Sequence, residues 1–95
     1  MSIALTNLAK EDLIDIWLYG EMNWGPVRAD QYLDSIDAFL IALINFPEKF
    51  ALRRDFQPPV RIAPFKSHLV VYLENAKYIQ VIRVLYQSMD VPQHL

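Results

Sequence analysis

Arg61, Lys66, Arg83 and Tyr86 fall on or beside strands that the sequence sets next to one another, and their types suit phosphodiester cleavage. Breaking RNA through its own 2′-hydroxyl needs a proton acceptor, a proton donor and cations beside the phosphate. The arginines and the lysine would be the cations and Tyr86 the donor. The plainer reading makes Arg61 and Arg83 sheet residues, paired with carboxylates or exposed, and Tyr86 part of the core. Other chemistries find less support. Gly20 and Gly25 are the only glycines, so there is no glycine-rich phosphate cradle. There is no cysteine, and His68 and His94 lie far apart outside any ligand spacing, so no metal and no cofactor are expected. Ser67 and Ser88 sit near these histidines only in sequence, and hydroxyls in turns usually bond locally. Asp12 and Asp15 share a helix face, which is commonly a solvated one.

The elements that must position these residues read as two helices followed by a sheet. Ser2 to Leu5 is a brief first strand. Thr6 follows as an N-cap whose hydroxyl can accept an orphan N–H of the first turn. Ala9, Leu13, Ile16, Trp17, Gly20 and Trp24 recur at helical spacing. At Trp24-Gly25-Pro26 the chain turns, with Pro26 suited to the first position of a second helix. That helix carries Ala29, Tyr32, Leu33, Ile36, Phe39, Leu40, Leu43 and Ile44, and ends at Asn45-Phe46-Pro47. So short a join makes the helices an antiparallel hairpin. Gly20, unfavourable by about 1 kcal/mol inside a helix, implies close helix–helix approach.

Beyond Pro47 the period changes. Lys49 to Pro59 reads as a loop, Val60 to Phe65 as a strand, and Lys66-Ser67 as a tight connection. His68 to Glu74 and Tyr78 to Tyr86 are strands joined by a hairpin at Asn75-Ala76-Lys77, and Gln87 to Leu95 is a tail. Strict alternation along the last strand turns Ile82 and Val84 to the helices, leaving Val81, Arg83 and Leu85 on a second apolar face. Either the tail or a partner must cover that face. The fold class is therefore α+β: a short N-terminal strand and an antiparallel helical hairpin packed on one face of a small twisted antiparallel β-sheet, as a single domain over residues 1–95.

Ninety-five residues that are 54% hydrophobic carry more apolar surface than so small a domain readily buries, which suggests a protein partner. The longest apolar run, Ala38 to Ile44, is far short of the roughly 20 residues that span a bilayer. No signal-peptide core precedes Lys10, so a cytoplasmic, membrane-free protein is expected. Charge is uneven. Residues 1–48 hold 8 acids and 2 bases, whereas residues 49–95 hold 7 bases and 3 acids, so the second half is basic. Such a surface draws an acidic partner or nucleic acid.

One series of residues has a familiar order: Leu5-Thr6, Ala9, Asp12-Leu13, Ile16-Trp17, Trp24-Gly25, Ala29-Asp30-Gln31-Tyr32-Leu33 and Phe46-Pro47-Glu48, then the run from Val81 to Asp90 and finally His94-Leu95. Together these resemble the ParE toxins of the wider RelE/ParE superfamily, over essentially the whole chain. Where that family commonly ends Arg-Val-Leu-His-x-Arg-Met-Asp, this chain has Tyr86 in place of the histidine and Ser88 in place of the base.

The resemblance implies a toxin of a type II toxin–antitoxin system. It would act without chemistry of its own, by binding DNA gyrase and trapping cleaved DNA. A ParD-like antitoxin, whose disordered segment folds on the toxin in a hetero-oligomer, would neutralise it. On that reading Arg83, Met89, Asp90 and His94 meet gyrase, while Val81 and Leu85 on the open sheet face, with Arg53, Arg54 and Arg61, meet the antitoxin. The alternatives are a RelE-like ribosome-dependent nuclease using Arg61, Arg83 and Tyr86, and an inactive relative retained as an antitoxin-binding partner.

Overall fold

The computed structural model describes residues 2–95. The chain runs β1 (Ser2–Leu5), α1 (Asn7–Trp24), α2 (Pro26–Asn45), β2 (Leu52–Arg53), β3 (Val60–Phe65), β4 (His68–Glu74), β5 (Tyr78–Tyr86) and α3 (Val91–His94). The sheet order is β1-β5-β4-β3-β2. β1 joins β5 in parallel, so the sheet is mixed, while the other neighbours are antiparallel. The expected 49–59 loop contains the two-residue β2, which pairs Leu52 with Arg61 and Arg53 with Val60 at the sheet edge.

The Thr6 hydroxyl starts α1. It accepts the Ala9 N–H at 3.1 Å and donates to the Ile82 carbonyl at 2.7 Å, so one side chain caps the helix and ties it to the sheet. Gly25, at φ 90°, ends α1 and opens α2 in a conformation that disfavours any Cβ. Pro26 then occupies the first turn of α2. The helices touch at Gly20, where an added Cβ would stand 3.3 Å from Ala29 Cβ. Trp17 Nε1 donates to Asp30 Oδ1 across the hairpin at 2.7 Å.

Ala9 and Ile16 of α1 and Ile36, Leu40 and Leu43 of α2 pack on Val70, Tyr72, Ile79, Val81 and Val84 of the sheet. Each fully buried valine, leucine or isoleucine side chain here contributes on the order of 1.5–3 kcal/mol. Tyr72 is wholly buried, and its hydroxyl donates to the Pro47 carbonyl at 2.8 Å.

Strict alternation fails along β5. Val71 pairs with Arg83 but Tyr72 pairs with Val81, which leaves Ile82 as the extra residue of a β-bulge. Val81 and Ile82 therefore exchange faces. Val81, expected on an open sheet face, is fully buried under the helices, and Ile82 joins Val71 and Leu85 on the other side. That second face is not open either. Val60, Val71 and Leu85 are buried there beneath Phe56 of the loop and Val91 of the tail. The tail, as α3, is thus part of the covering layer.

Surplus apolar surface lies on the helices instead. Ile14, Leu18 and Met22, one turn apart on α1, are 59%, 47% and 81% exposed, and Val27 and Ile41 of α2 are also exposed.

Candidate functional site

At the bulge, β1 has ended and the outer edge of β5 needs new partners. Asp12 of α1 supplies one. Its carboxylate accepts the Val84 N–H at 2.9 Å and holds the Arg83 guanidinium through Nε at 2.8 Å and Nη2 at 2.9 Å. This forked geometry is the strong form of a charge-assisted pair. Both side chains are largely shielded, at 16% and 12% exposed. The Asp12 hydrogen bonds raise the Arg83 pKa further above its usual value. The remaining arm, Nη1, donates to the His94 carbonyl at 3.0 Å. Arg83 therefore joins the first helix, the bulged strand and the tail.

Met89 and Asp90 lie in the turn between β5 and α3, with the Met89 N–H donating to the Tyr86 carbonyl. Met89 is 37% exposed and Asp90 is exposed. Arg83, Met89, Asp90 and His94 are therefore brought to one end of β5. The residues assigned to the antitoxin are dispersed. Arg53 is exposed and paired with Asp55 at 2.8 Å, Arg54 is exposed, and Arg61 is held by Glu74 at 2.8 Å and by the Phe50 carbonyl. Val81 and Leu85 are interior residues, so the expected apolar contact through them is corrected.

The cleavage set does not converge. Arg61 on β3 pairs with Glu74 of β4 and Arg83 on β5 with Asp12 of α1, and Tyr86 stands on the opposite face of β5 from Arg83. Lys66 lies over the Tyr32 and Phe65 rings. Among the described residues no group of three or more histidine, cysteine or acidic side chains is placed to hold a metal.

A feature missed in the sequence sits at the other end of the hairpin. His68, only 4% exposed, meets the Tyr32 hydroxyl through Nδ1 at 2.6 Å, and its ring lies 4.5 Å from that of Tyr86. Its Nε2 has no partner. Around it, Tyr19, Trp24, Tyr32, Ser67 and Tyr86 line a cavity of about 260 Å³. The available signal was parity: His68, Val70 and Tyr72 alternate onto the core face of β4.

Burial lowers the pKa of His68. Unfolding returns the imidazole toward its ordinary value of about 6.5, so the unfolded chain binds the proton more readily. The stability contributed by a neutral His68 is therefore complete above about pH 6.5 and is lost as the pH falls below it. We expect the melting temperature to drop between about pH 7.5 and 5.5, and the drop to shrink in His68→Phe. An equal drop in both proteins would place the acid sensitivity elsewhere.

An α-hairpin on one face of an open mixed sheet, closed at one end by an Arg83–Asp12 tie and a short C-terminal helix, defines an open-sheet α+β fold. It is similar to a chain of the chromosomal ParDE toxin–antitoxin system from P. aeruginosa, with a TM-score of 0.77 and 24% identity, over 90% of this chain and 95% of that one. The family description "ParE toxin of type II toxin-antitoxin system, parDE" matches residues 3–91. Toxin ParE1 of Caulobacter vibrioides is 33% identical over 91 residues, covering 96% of this chain and 94% of that toxin. The chain belongs to the ParE toxin family of type II toxin–antitoxin systems. Among the described residues no helix is long and apolar enough to cross a membrane.

Proposed function

We propose that this chain poisons DNA gyrase by binding it, leaving cleaved DNA trapped, and that a ParD-like antitoxin neutralises it. The observation that carries this reading is the family match across residues 3–91, which includes the whole of β5 and the turn after it. The gyrase contact is Met89, Asp90 and His94. Arg83 serves it by positioning, because its guanidinium is occupied by Asp12 and by the tail.

The antitoxin surface is revised by the fold. With the sheet faces covered by the hairpin on one side and by Phe56 and Val91 on the other, the exposed apolar area open to a partner includes the Ile14–Leu18–Met22 stripe with Val27 and Ile41. An amphipathic segment that folds on binding suits such a stripe. Arg53, Arg54 and Arg61 add cationic contacts for acidic residues of the partner.

The test is a plasmid cleavage assay with gyrase, supercoiled DNA and ATP. We expect linear DNA to accumulate after the enzyme is denatured, in proportion to added chain, and an equimolar cognate antitoxin to prevent it. Folded protein that binds its antitoxin yet yields no linear DNA would retire the gyrase reading in favour of an inactive relative.

A further inference from the structure

The cavity around His68 has the attributes of a small-molecule site. Its volume is about 260 Å³. A dry apolar cavity of about 150 Å³ suffices to hold benzene, so one or two fused rings fit here. The walls are aromatic. Tyr19 and Trp24 meet edge-on at 5.8 Å, and Tyr19 and Tyr86 at 6.2 Å, an arrangement that offers ring edges and faces to a flat guest.

Two polar features select what the guest must carry. The first is His68, whose Nε2 has no partner although the residue is almost wholly buried. A buried polar group without a hydrogen bond is costly, and an occupant that bonds it recovers that cost. The Tyr32 hydroxyl and Nδ1 share one hydrogen bond, and the imidazole tautomer sets which of the two donates. Nε2 donates in one tautomer and accepts in the other, and a hydroxyl on the guest serves either. The second feature is the mouth. Trp24 and Tyr32 continue from the cavity into a shallower depression lined by Arg28 and Lys66. The Arg28 guanidinium lies over the Trp24 ring at 5.8 Å and Lys66 Nζ over the Tyr32 ring at 5.4 Å. Among the described residues neither cation has a carboxylate within ion-pair distance. Lys66 Nζ also donates to Ser35 Oγ at 3.5 Å, and two cations without a carboxylate partner at the entrance of an apolar cavity favour an anionic group at the outer end of the guest.

We propose that this cavity binds a flat aromatic acid, with its ring among Tyr19, Trp24, Tyr32 and Tyr86, a hydroxyl on His68 Nε2 and its carboxylate at Arg28 and Lys66. The site is separate from the Arg83 tie and does not depend on how the toxin acts.

The probe is 6-hydroxy-2-naphthoate, titrated into the free full-length chain by calorimetry and followed by NMR. We expect one molecule per chain with a dissociation constant at or below about 100 µM, and shifts concentrated on the His68 imidazole and the Trp24 indole. 2-Naphthoate, lacking the hydroxyl, is expected to bind at least about tenfold more weakly. In Arg28→Gln/Lys66→Gln, both changes being at the surface, affinity is expected to fall at least about fivefold with unchanged thermal unfolding. No saturation by about 2 mM, shifts scattered away from the cavity, or equal affinity for the two naphthoates would each overturn the assignment.

Discussion

Asp12→Ala is expected to lower the stability of this domain by about 3 kcal/mol, and its melting temperature by roughly 15 °C. The carboxylate accepts from Arg83 Nε, Arg83 Nη2 and the Val84 N–H. Alanine thus strands a shielded guanidinium and a strand N–H at the place where β1 no longer covers the edge of β5. Breaking one side of a buried pair costs about 3–5 kcal/mol, and partial exposure puts this case at the lower end. Asp12→Asn keeps an acceptor and should cost less. Replacing both partners with apolar residues should recover part of the loss, because the penalty comes from the abandoned charge. Urea unfolding of the two single variants and the double variant measures the coupling. A change within about 0.5 kcal/mol for Asp12→Ala would mean that the pair is an ordinary surface contact.

The same variants separate two roles for Arg83. If Arg83 acts by holding the tail, Asp12→Asn weakens gyrase poisoning along with Arg83→Ala, because both loosen the connection to His94. If the guanidinium itself touched gyrase, Asp12→Asn would free it and poisoning would be kept.

The hairpin and its boundaries were legible because their causes are local. Thr6 caps the turn that follows it, Pro26 begins a helix, and Gly20 marks the contact with Ala29. The bulge was not legible. Val81, Ile82, Val84 and Leu85 are all apolar, so slipping the alternation by one residue changes no hydrophobic pattern. What decides it is the pair of contacts from Thr6 and Asp12, which lie 76 and 72 residues away in the chain. The same apolar excess hid the open surface. α1 carries Leu13 and Ile16 toward the core and Ile14 and Leu18 toward solvent, so periodicity alone does not choose the buried side. Arg83 meets the tail through the His94 carbonyl, a contact between residues 11 apart in the chain. Val81 and Leu85 were lost because their faces were assigned without the bulge and without the covering tail.

Deleting residues 89–95 is expected to separate fold from function. The deletion removes Val91 from the cluster over Leu85 and Val71, and removes the carbonyl that Arg83 Nη1 engages. Both losses are partial, since Phe56, Ile62 and Ile82 still cover that face and Asp12 still holds Arg83. A destabilisation of about 1–2 kcal/mol follows, with the helical and strand signals of circular dichroism retained. The functional loss should be far larger. Met89, Asp90 and His94 are the residues proposed to meet gyrase, and losing a hot spot of about 2 kcal/mol or more lowers potency at least about thirtyfold. Antitoxin binding, which rests on the helical stripe and on arginines outside the deletion, should be little changed. Cleavage potency within about threefold of the intact chain would remove the tail from the gyrase contact. Loss of the circular dichroism signal would show instead that α3 is part of the folding unit. Val91→Asp would then be compared with Met89→Ala, since the first reports on the cover of Leu85 and the second on the exposed tip alone.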